Sequence, residues 1–344
     1  MGFVEPGLPS GLVGHDVRMT PPVPVEFARG LYRARMRLAQ ARIGPIAATL
    51  ICLVAYLLPG AATASASPFR SAQIDFGGLA RTYELHVPAG VEHPTALVVN
   101  LHAAGATGRD QAALTHFDAV ADAHGFAVVH PDGIDFSWAD GRGASIPDRQ
   151  GVDDVGFIAA LVGQLVAEYG IDPGRVFATG LSAGAFMANR LACDRADLFA
   201  AIAPVSGTLG SNVGCNPSRP VSVLASHGTA DPIVPFDGGG MVGRGGASDV
   251  VAAPAMVQRW QQIDQCPTTP SQSALPSNGD GTATTRLIYS PCAAGTAVEF
   301  MRIDGGGHTW PGAPAILPVQ EVGAASHAFD ASEASWQFFN AHGR

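Results

Sequence analysis

Short apolar runs alternate with stretches of helical periodicity along most of the chain. Residues 96–101 (ALVVNL) and 126–129 (FAVV) are uninterrupted apolar runs, the pattern of strands buried on both faces. The stretch between them, 112–124, predicts a helix, and 152–169 has apolar residues at helical spacing, with Asp153 and Asp154 where acids favour a helix start. Farther on, 176–179, 200–204, 221–225, 285–289 and 298–303 predict strands, while 185–191, 250–263 and 331–341 predict helices. Segments 73–76 and 81–87 flank Gly77-Gly78 and predict an antiparallel hairpin. Strands alternating with helices imply an α/β fold, a three-layer sandwich around a mostly parallel central sheet. Residues 237–248 and 267–283 are rich in Gly, Ser, Thr and Pro and predict loops within that unit.

The first 66 residues break this pattern. Six Arg stand against three acids, followed by an apolar run at 43–58, then Pro59-Gly60 and a small-residue stretch ending Ala64-Ser65-Ala66. A basic region, an apolar region and a small-residue end make a secretory signal peptide. Cleavage is expected near Ala66. Met36 would begin a signal of ordinary length, which makes 1–35 an upstream extension or the product of a misplaced start. The apolar run is short for a membrane span of about 20 residues, so no stable membrane anchor is expected. Cys52 lacks the preceding small residues of a lipidated cysteine. The expected division is therefore 1–66, extension and signal, and 67–344, one domain.

Composition sharpens this picture. Of 344 residues, 42 are Gly and 26 Pro, yet 47% are hydrophobic and only 14% charged, which excludes a disordered chain. Removing 1–66 leaves 278 residues with 14 Arg and 26 acids, net −12 against −9 for the whole chain. An acidic domain argues against nucleic acid as a partner. Lys is absent, which removes Schiff-base and P-loop chemistry. Cys193, Cys215, Cys266 and Cys292 remain, and an even count in an exported chain predicts disulfides. Of three possible pairings, Cys193–Cys215 with Cys266–Cys292 closes the shortest loops. A metal site would need Cys/His spacings that this chain lacks.

The strongest chemical signal is Gly180-Leu181-Ser182-Ala183-Gly184. A GxSxG between a strand and an apolar helix makes a tight turn that exposes its serine as a nucleophile. A serine hydroxyl needs a base, and the base an orienting acid. In the order Ser, acid, His, the acid is Asp231, in the loop after strand 221–225, on the carboxyl edge of the sheet. The base is His308, delivered by Gly305–Gly307 after strand 298–303. His327 and His342 are expected to be surface residues. The oxyanion hole needs two backbone donors. Ala183 supplies one, and the loop 102–105 after strand 96–101 supplies the other, from Ala104 before Ala103. His102 is expected to brace that loop.

The segments LHAAGATG, HPDG, SWADG, GVDDVGF, ATGLSAGAFMANRLAC, AAIAPVSG, HGTADPIVPF and GGGHTWPG occur in this order. In them the chain resembles the secreted polyhydroxybutyrate depolymerases and feruloyl esterases of carbohydrate esterase family 1, from about 73 to 336. The resemblance implies an α/β-hydrolase fold, with Ser182 as nucleophile, Asp231 as acid and His308 as base. It also fits the sequential disulfide pairs. Trp138 and Trp310 match positions near the family's cleft and are candidates for stacking on substrate. Asp153 and Asp154 are expected to be bracing groups. One departure is Ala103, where the family usually has Gly; an Ala fits there only at negative φ.

The implied activity is an exported serine esterase acting through an acyl-enzyme without metal or organic cofactor, expected to be a monomer. Its substrate would be a polyhydroxyalkanoate or other polyester, or a feruloyl or acetyl ester of plant polysaccharide. The lack of room for an appended binding module favours soluble oligomers or short-chain esters. A serine peptidase and a non-catalytic surface binding protein are the alternatives from other classes.

Overall fold

The predicted hairpin forms as β1 (Arg70–Phe76) and β2 (Leu79–His86). Gly77 and Gly78 turn it at φ +59° and +77°, values open to residues without a Cβ. The computed structural model describes residues 69–315 and 317–344. The expected extension, signal and cleavage point near Ala66 lie outside the described residues.

The chain continues through β3 (Leu97–Leu101), α1 (Gly108–Thr115), α2 (Phe117–His124), β4 (Ala127–Pro131), α3 (Ile146–Gln150), α4 (Asp154–Tyr169), β5 (Val176–Leu181) and α5 (Ala183–Asp194). It then forms β6 (Ala201–Val205), β7 (Ser222–Gly228), β8 (Gly239–Gly243), β9 (Gly246–Val250), α6 (Ala253–Ile263) and β10 (Ser271–Ala274). Last come β11 (Ala283–Tyr289), β12 (Val298–Asp304), α7 (Val319–Val322) and α8 (Ala331–Ala341). Among the described residues the main sheet has ten strands in the order β1-β2-β4-β3-β5-β6-β7-β12-β11-β10. Its centre, from β4 to β12, is parallel, and antiparallel pairs close both ends.

Side-chain alternation explains the three layers. In β3, Leu97, Val99 and Leu101 pack in one core with Phe157 and Leu161 of α4, Met187 of α5 and Trp260 of α6. Val98, between them, faces the other core, with Phe117 of α2 and Phe339 of α8. Strands apolar on both faces must be covered on both faces, and the uninterrupted run at 96–101 reflects this. Both sequential disulfides form, Cys193–Cys215 and Cys266–Cys292, as suits an oxidising compartment.

Four local expectations are corrected. The helix expected over 112–124 is broken into α1 and α2 by His116, at φ +50°. The loop expected over 237–248 contains β8 and β9, which pair as a two-stranded ribbon, with Val250 also bridged to Gly210. The helix expected from 250 starts at Ala253, with Pro254 in its first turn and Val250 left in β9. Within 267–283, β10 adds a short edge strand.

Candidate active site

Ser182 stands between β5 and α5 with φ +57° and ψ −115°, a strained conformation for a residue with a Cβ. Its N–H is held by the Val205 carbonyl at 3.0 Å. The glycines on either side are required by proximity. A Cβ on Gly184 would lie 2.1 Å from the Leu101 carbonyl oxygen, and one on Gly180 would lie 2.6 Å from the same atom. The first turn of α5 therefore sits directly against the end of β3. No side chain caps α5, so its first N–H groups are left for another partner.

Asp231 and His308 reach the same edge from β7 and β12. Their loops are joined by backbone hydrogen bonds, Thr229 N–H to Ile303 at 2.9 Å and Ala230 N–H to Gly306 at 2.9 Å. Gly228 permits this approach, since a Cβ there would stand 2.2 Å from the Gly306 oxygen. A Cβ on Gly307 would stand 2.0 Å from the Val322 oxygen. The glycine run before His308 thus serves close packing as well as turning. Asp231 Oδ1 accepts the N–H groups of Ile233 and Val234, both at 2.8 Å, and Oδ2 lies 2.8 Å from His308 Nδ1. A carboxylate only accepts, so Nδ1 carries the proton and a neutral His308 keeps Nε2 free as a base.

Ser182 and His308 line one cavity of about 540 Å³, without a hydrogen bond between them among the described residues. Ala183 and Ala104 line it too, and neither N–H has a hydrogen-bond partner among the described residues. Gly105 takes the left-handed position of the loop 102–105, at φ +87°, while Ala103 does not have a positive φ. The Ala103 substitution is accommodated. His102 braces this loop: Gly133 N–H donates to Nε2 at 2.9 Å, and Nδ1 lies 2.8 Å from the Ala103 oxygen. Burial pushes its pKa down, in keeping with a neutral ring.

The two tryptophans separate. Trp310 lines the cavity, its indole N–H fixed on Ser332 Oγ at 3.1 Å. Trp138 is wholly buried, donates to the His102 carbonyl at 2.9 Å and packs its ring on His102 with centroids 4.7 Å apart. It sits behind the loop 102–105, and the expectation that it meets substrate is corrected: a wholly buried ring has no face left to stack. Asp153 caps α4 through Gly156 N–H at 2.7 Å. Asp154 forms a buried pair with Arg81 at 2.5 Å and accepts Ala139 N–H at 2.7 Å. Burial pushes its carboxyl up, against the pull of Arg81. Both are bracing groups, as expected.

Sequence reasoning passed over four contributors. His227 lies beside Asp231, with Nε2 3.5 Å from Oδ2; its signal was its place four residues before the acid. Arg142, Met241 and Phe186 line the cavity beyond Ser182. Of these, only Phe186 carried a signal, at i+4 from Ser182 on the same helix.

A family model described as Esterase PHB depolymerase matches residues 81–257. The chain belongs to this family. Family membership makes the protein a carboxylic ester hydrolase. It is similar to feruloyl esterase C of Emericella nidulans, 31% identical over 76% of this chain and 84% of that one. A putative esterase NocK of Nocardia uniformis subsp. tsuyamanensis is 29% identical, over 77% and 81%. A bifunctional acetylxylan esterase/xylanase of Neocallimastix patriciarum is 25% identical over 71% of this chain, which spans 33% of that longer protein. Among solved structures, an acetyl xylan esterase from Aspergillus awamori superposes with a TM-score of 0.53 at 18% identity, covering 79% of this chain and 99% of that one. The esterase's sheet and flanking helices are thus those of an α/β-hydrolase.

Proposed function

We propose that the chain is an exported serine esterase whose catalytic domain spans 67–344 and whose triad is Ser182, His308 and Asp231. The observation that carries this reading is the 2.8 Å contact of His308 Nδ1 with Asp231 Oδ2, in a cavity that also holds the strained Ser182. Ser182 Oγ attacks the ester carbonyl as His308 Nε2 takes its proton. The carbonyl oxygen, now negative, is met by the N–H groups of Ala183 and Ala104, both unpaired and dipole-aligned or loop-fixed before substrate arrives. His308 returns the proton to the departing alcohol. Water, activated by the same imidazole, then clears the acyl-enzyme. Asp231 holds the ring and stabilises its charged form.

The substrate class proposed is a polyester such as a polyhydroxyalkanoate, or a feruloyl or acetyl ester of plant polysaccharide. Family membership and the feruloyl and acetylxylan esterase relatives support that range. Export, with a signal cleaved near Ala66, is supported by the two disulfides. The test is Ser182→Ala with p-nitrophenyl butyrate and a fluorophosphonate probe. Loss of about 10⁴-fold or more in kcat, with loss of labelling, is expected. Unchanged turnover would overturn the mechanism.

A further inference from the structure

One wall of the cavity carries a charge that ester hydrolysis does not call for. The Arg142 side chain is only 8% exposed, and its ion-pair partner Asp140 only 1%. Asp140 takes Nε at 3.0 Å and Nη2 at 2.7 Å. The guanidinium plane lies over the Phe186 ring, 3.7 Å from its centroid. A guanidinium has five N–H donors. Asp140 engages two of them, and among the described residues the remaining nitrogen, Nη1, meets only the Met241 sulfur at 3.5 Å, a weak acceptor. A buried cation therefore faces the cavity with donors that no protein oxygen accepts.

Helix α5 sets the distance of this cation from the reacting serine. Phe186 N–H bonds the Ser182 carbonyl at 3.0 Å, so ring and nucleophile are one helical turn apart, about 5.4 Å along the axis. The guanidinium is stacked on that ring. The desolvation of a buried ion pair can outweigh its attraction, and hydrophobic residues of similar volume often replace such a pair without loss of stability. Burial itself pushes the Asp140 carboxyl up, against Arg142.

We propose that Arg142, positioned by Asp140 and Phe186, is a substrate-binding residue that donates to a neutral oxygen a few bonds from the scissile carbonyl. The oxygen is a hydroxyl, an ether or a second carbonyl. A neutral acceptor fits because Asp140 already supplies the full counter-charge. A further carboxylate would leave a net negative charge beside Phe186 and Met241. This subsite rests on the esterase reading above and deepens it by assigning one residue, Arg142, to read the second oxygen that such substrates carry.

The test uses isosteric ester pairs. For the acyl side, p-nitrophenyl pentanoate is compared with p-nitrophenyl methoxypropanoate. For the alcohol side, butyl butyrate is compared with methoxyethyl butyrate. The intact enzyme is expected to prefer the oxygenated member of one pair, and that pair identifies which side of the ester the subsite holds. In the double variant Asp140→Asn with Arg142→Gln, the preference falls about tenfold, carried by KM more than kcat. Met241→Gln keeps the ion pair and offers Nη1 a protein oxygen, and it too lowers the preference. It keeps the test valid if the double variant fails to fold. No preference in either pair, or a preference unchanged in both variants, overturns the subsite alone if p-nitrophenyl acetate is still hydrolysed through Ser182. Absence of Ser182-dependent hydrolysis of any ester overturns both readings.

Discussion

His227 and His308 share one oxygen: Asp231 Oδ2 stands 3.5 Å from His227 Nε2 and 2.8 Å from His308 Nδ1. His227 Nε2 also lies 3.0 Å from the Val234 carbonyl, an acceptor, so the proton is on Nε2. Nδ1 is buried without a partner among the described residues, and burial pushes this imidazole's pKa down. The Nε2–H is thus spent on Val234, whose own N–H Asp231 accepts at 2.8 Å, so a neutral His227 braces the turn that carries Asp231.

His227→Phe leaves the Val234 carbonyl without its 3.0 Å donor, at a cost of about 1–3 kcal/mol, and loosens the turn through which Val234 N–H holds Asp231. A several-fold fall in kcat with KM little changed is expected. A loss of packing alone would lower stability and leave kcat in place. His227→Asn, which keeps a donor, should recover part of kcat.

Trp138→Phe tests the buried tryptophan as a brace. The variant loses the 2.9 Å hydrogen bond to His102 and leaves a buried carbonyl unsatisfied, at a cost of about 1–3 kcal/mol. A loosened oxyanion loop should lower kcat several-fold with KM little changed, since the ring does not touch the cavity. A rise in KM at constant kcat would place Trp138 against substrate instead.

Much of the candidate site's geometry was legible because its demands are local. A strand, a glycine-flanked serine and a helix specify the elbow within ten residues, and the order of Ser182, Asp231 and His308 follows the strands that carry them. Features set by distant partners were not legible. Residues 239–250 carry little apolar alternation, and β8 and β9 form through pairing with each other across a tight turn. Arg142 meets Phe186 from 44 positions away in sequence, and the chain between gives no sign of the contact. Trp138 sits in a Gly, Ser and Asp-rich stretch that reads as surface, yet the fold closes His102 over it.

Gly184→Ala should disable the enzyme through geometry alone. The added methyl would lie 2.1 Å from the Leu101 oxygen and 2.9 Å from the His102 oxygen, backbone atoms that cannot swing aside. Helix α5 would have to retreat from β3, carrying Ser182 and the Ala183 N–H with it. A stability loss of roughly 3 kcal/mol or more and a kcat loss of at least about 100-fold are expected, read from chemical denaturation and initial rates. Near-normal activity would mean that the strand end and the helix start can part without cost.

Asp264 predicts a pH dependence remote from catalysis. It ends α6, where the helix carbonyls disfavour an anion. Its side chain is buried; Oδ1 accepts Val221 N–H at 3.2 Å, and among the described residues Oδ2 makes no hydrogen bond, with the Thr296 hydroxyl near enough to favour the anion slightly. Burial pushes its pKa up to about 7, against an ordinary value of 3.8. Between those values the folded protein binds a proton that the unfolded chain has released. Its stability contribution is therefore present below about pH 4 and is lost as pH rises toward 7. Asp264→Asn keeps the acceptor for Val221 and removes the titration. At pH 8 the variant should be the more stable protein, by up to roughly 4 kcal/mol, and the advantage should shrink as pH falls toward 4. Burial also raises Asp140 and Asp154, but both proteins share those groups, so the difference between their denaturation curves isolates Asp264. A difference that stays constant from pH 4 to 8 would mean that Asp264 is already ionised throughout, with a partner for Oδ2 that offsets its burial.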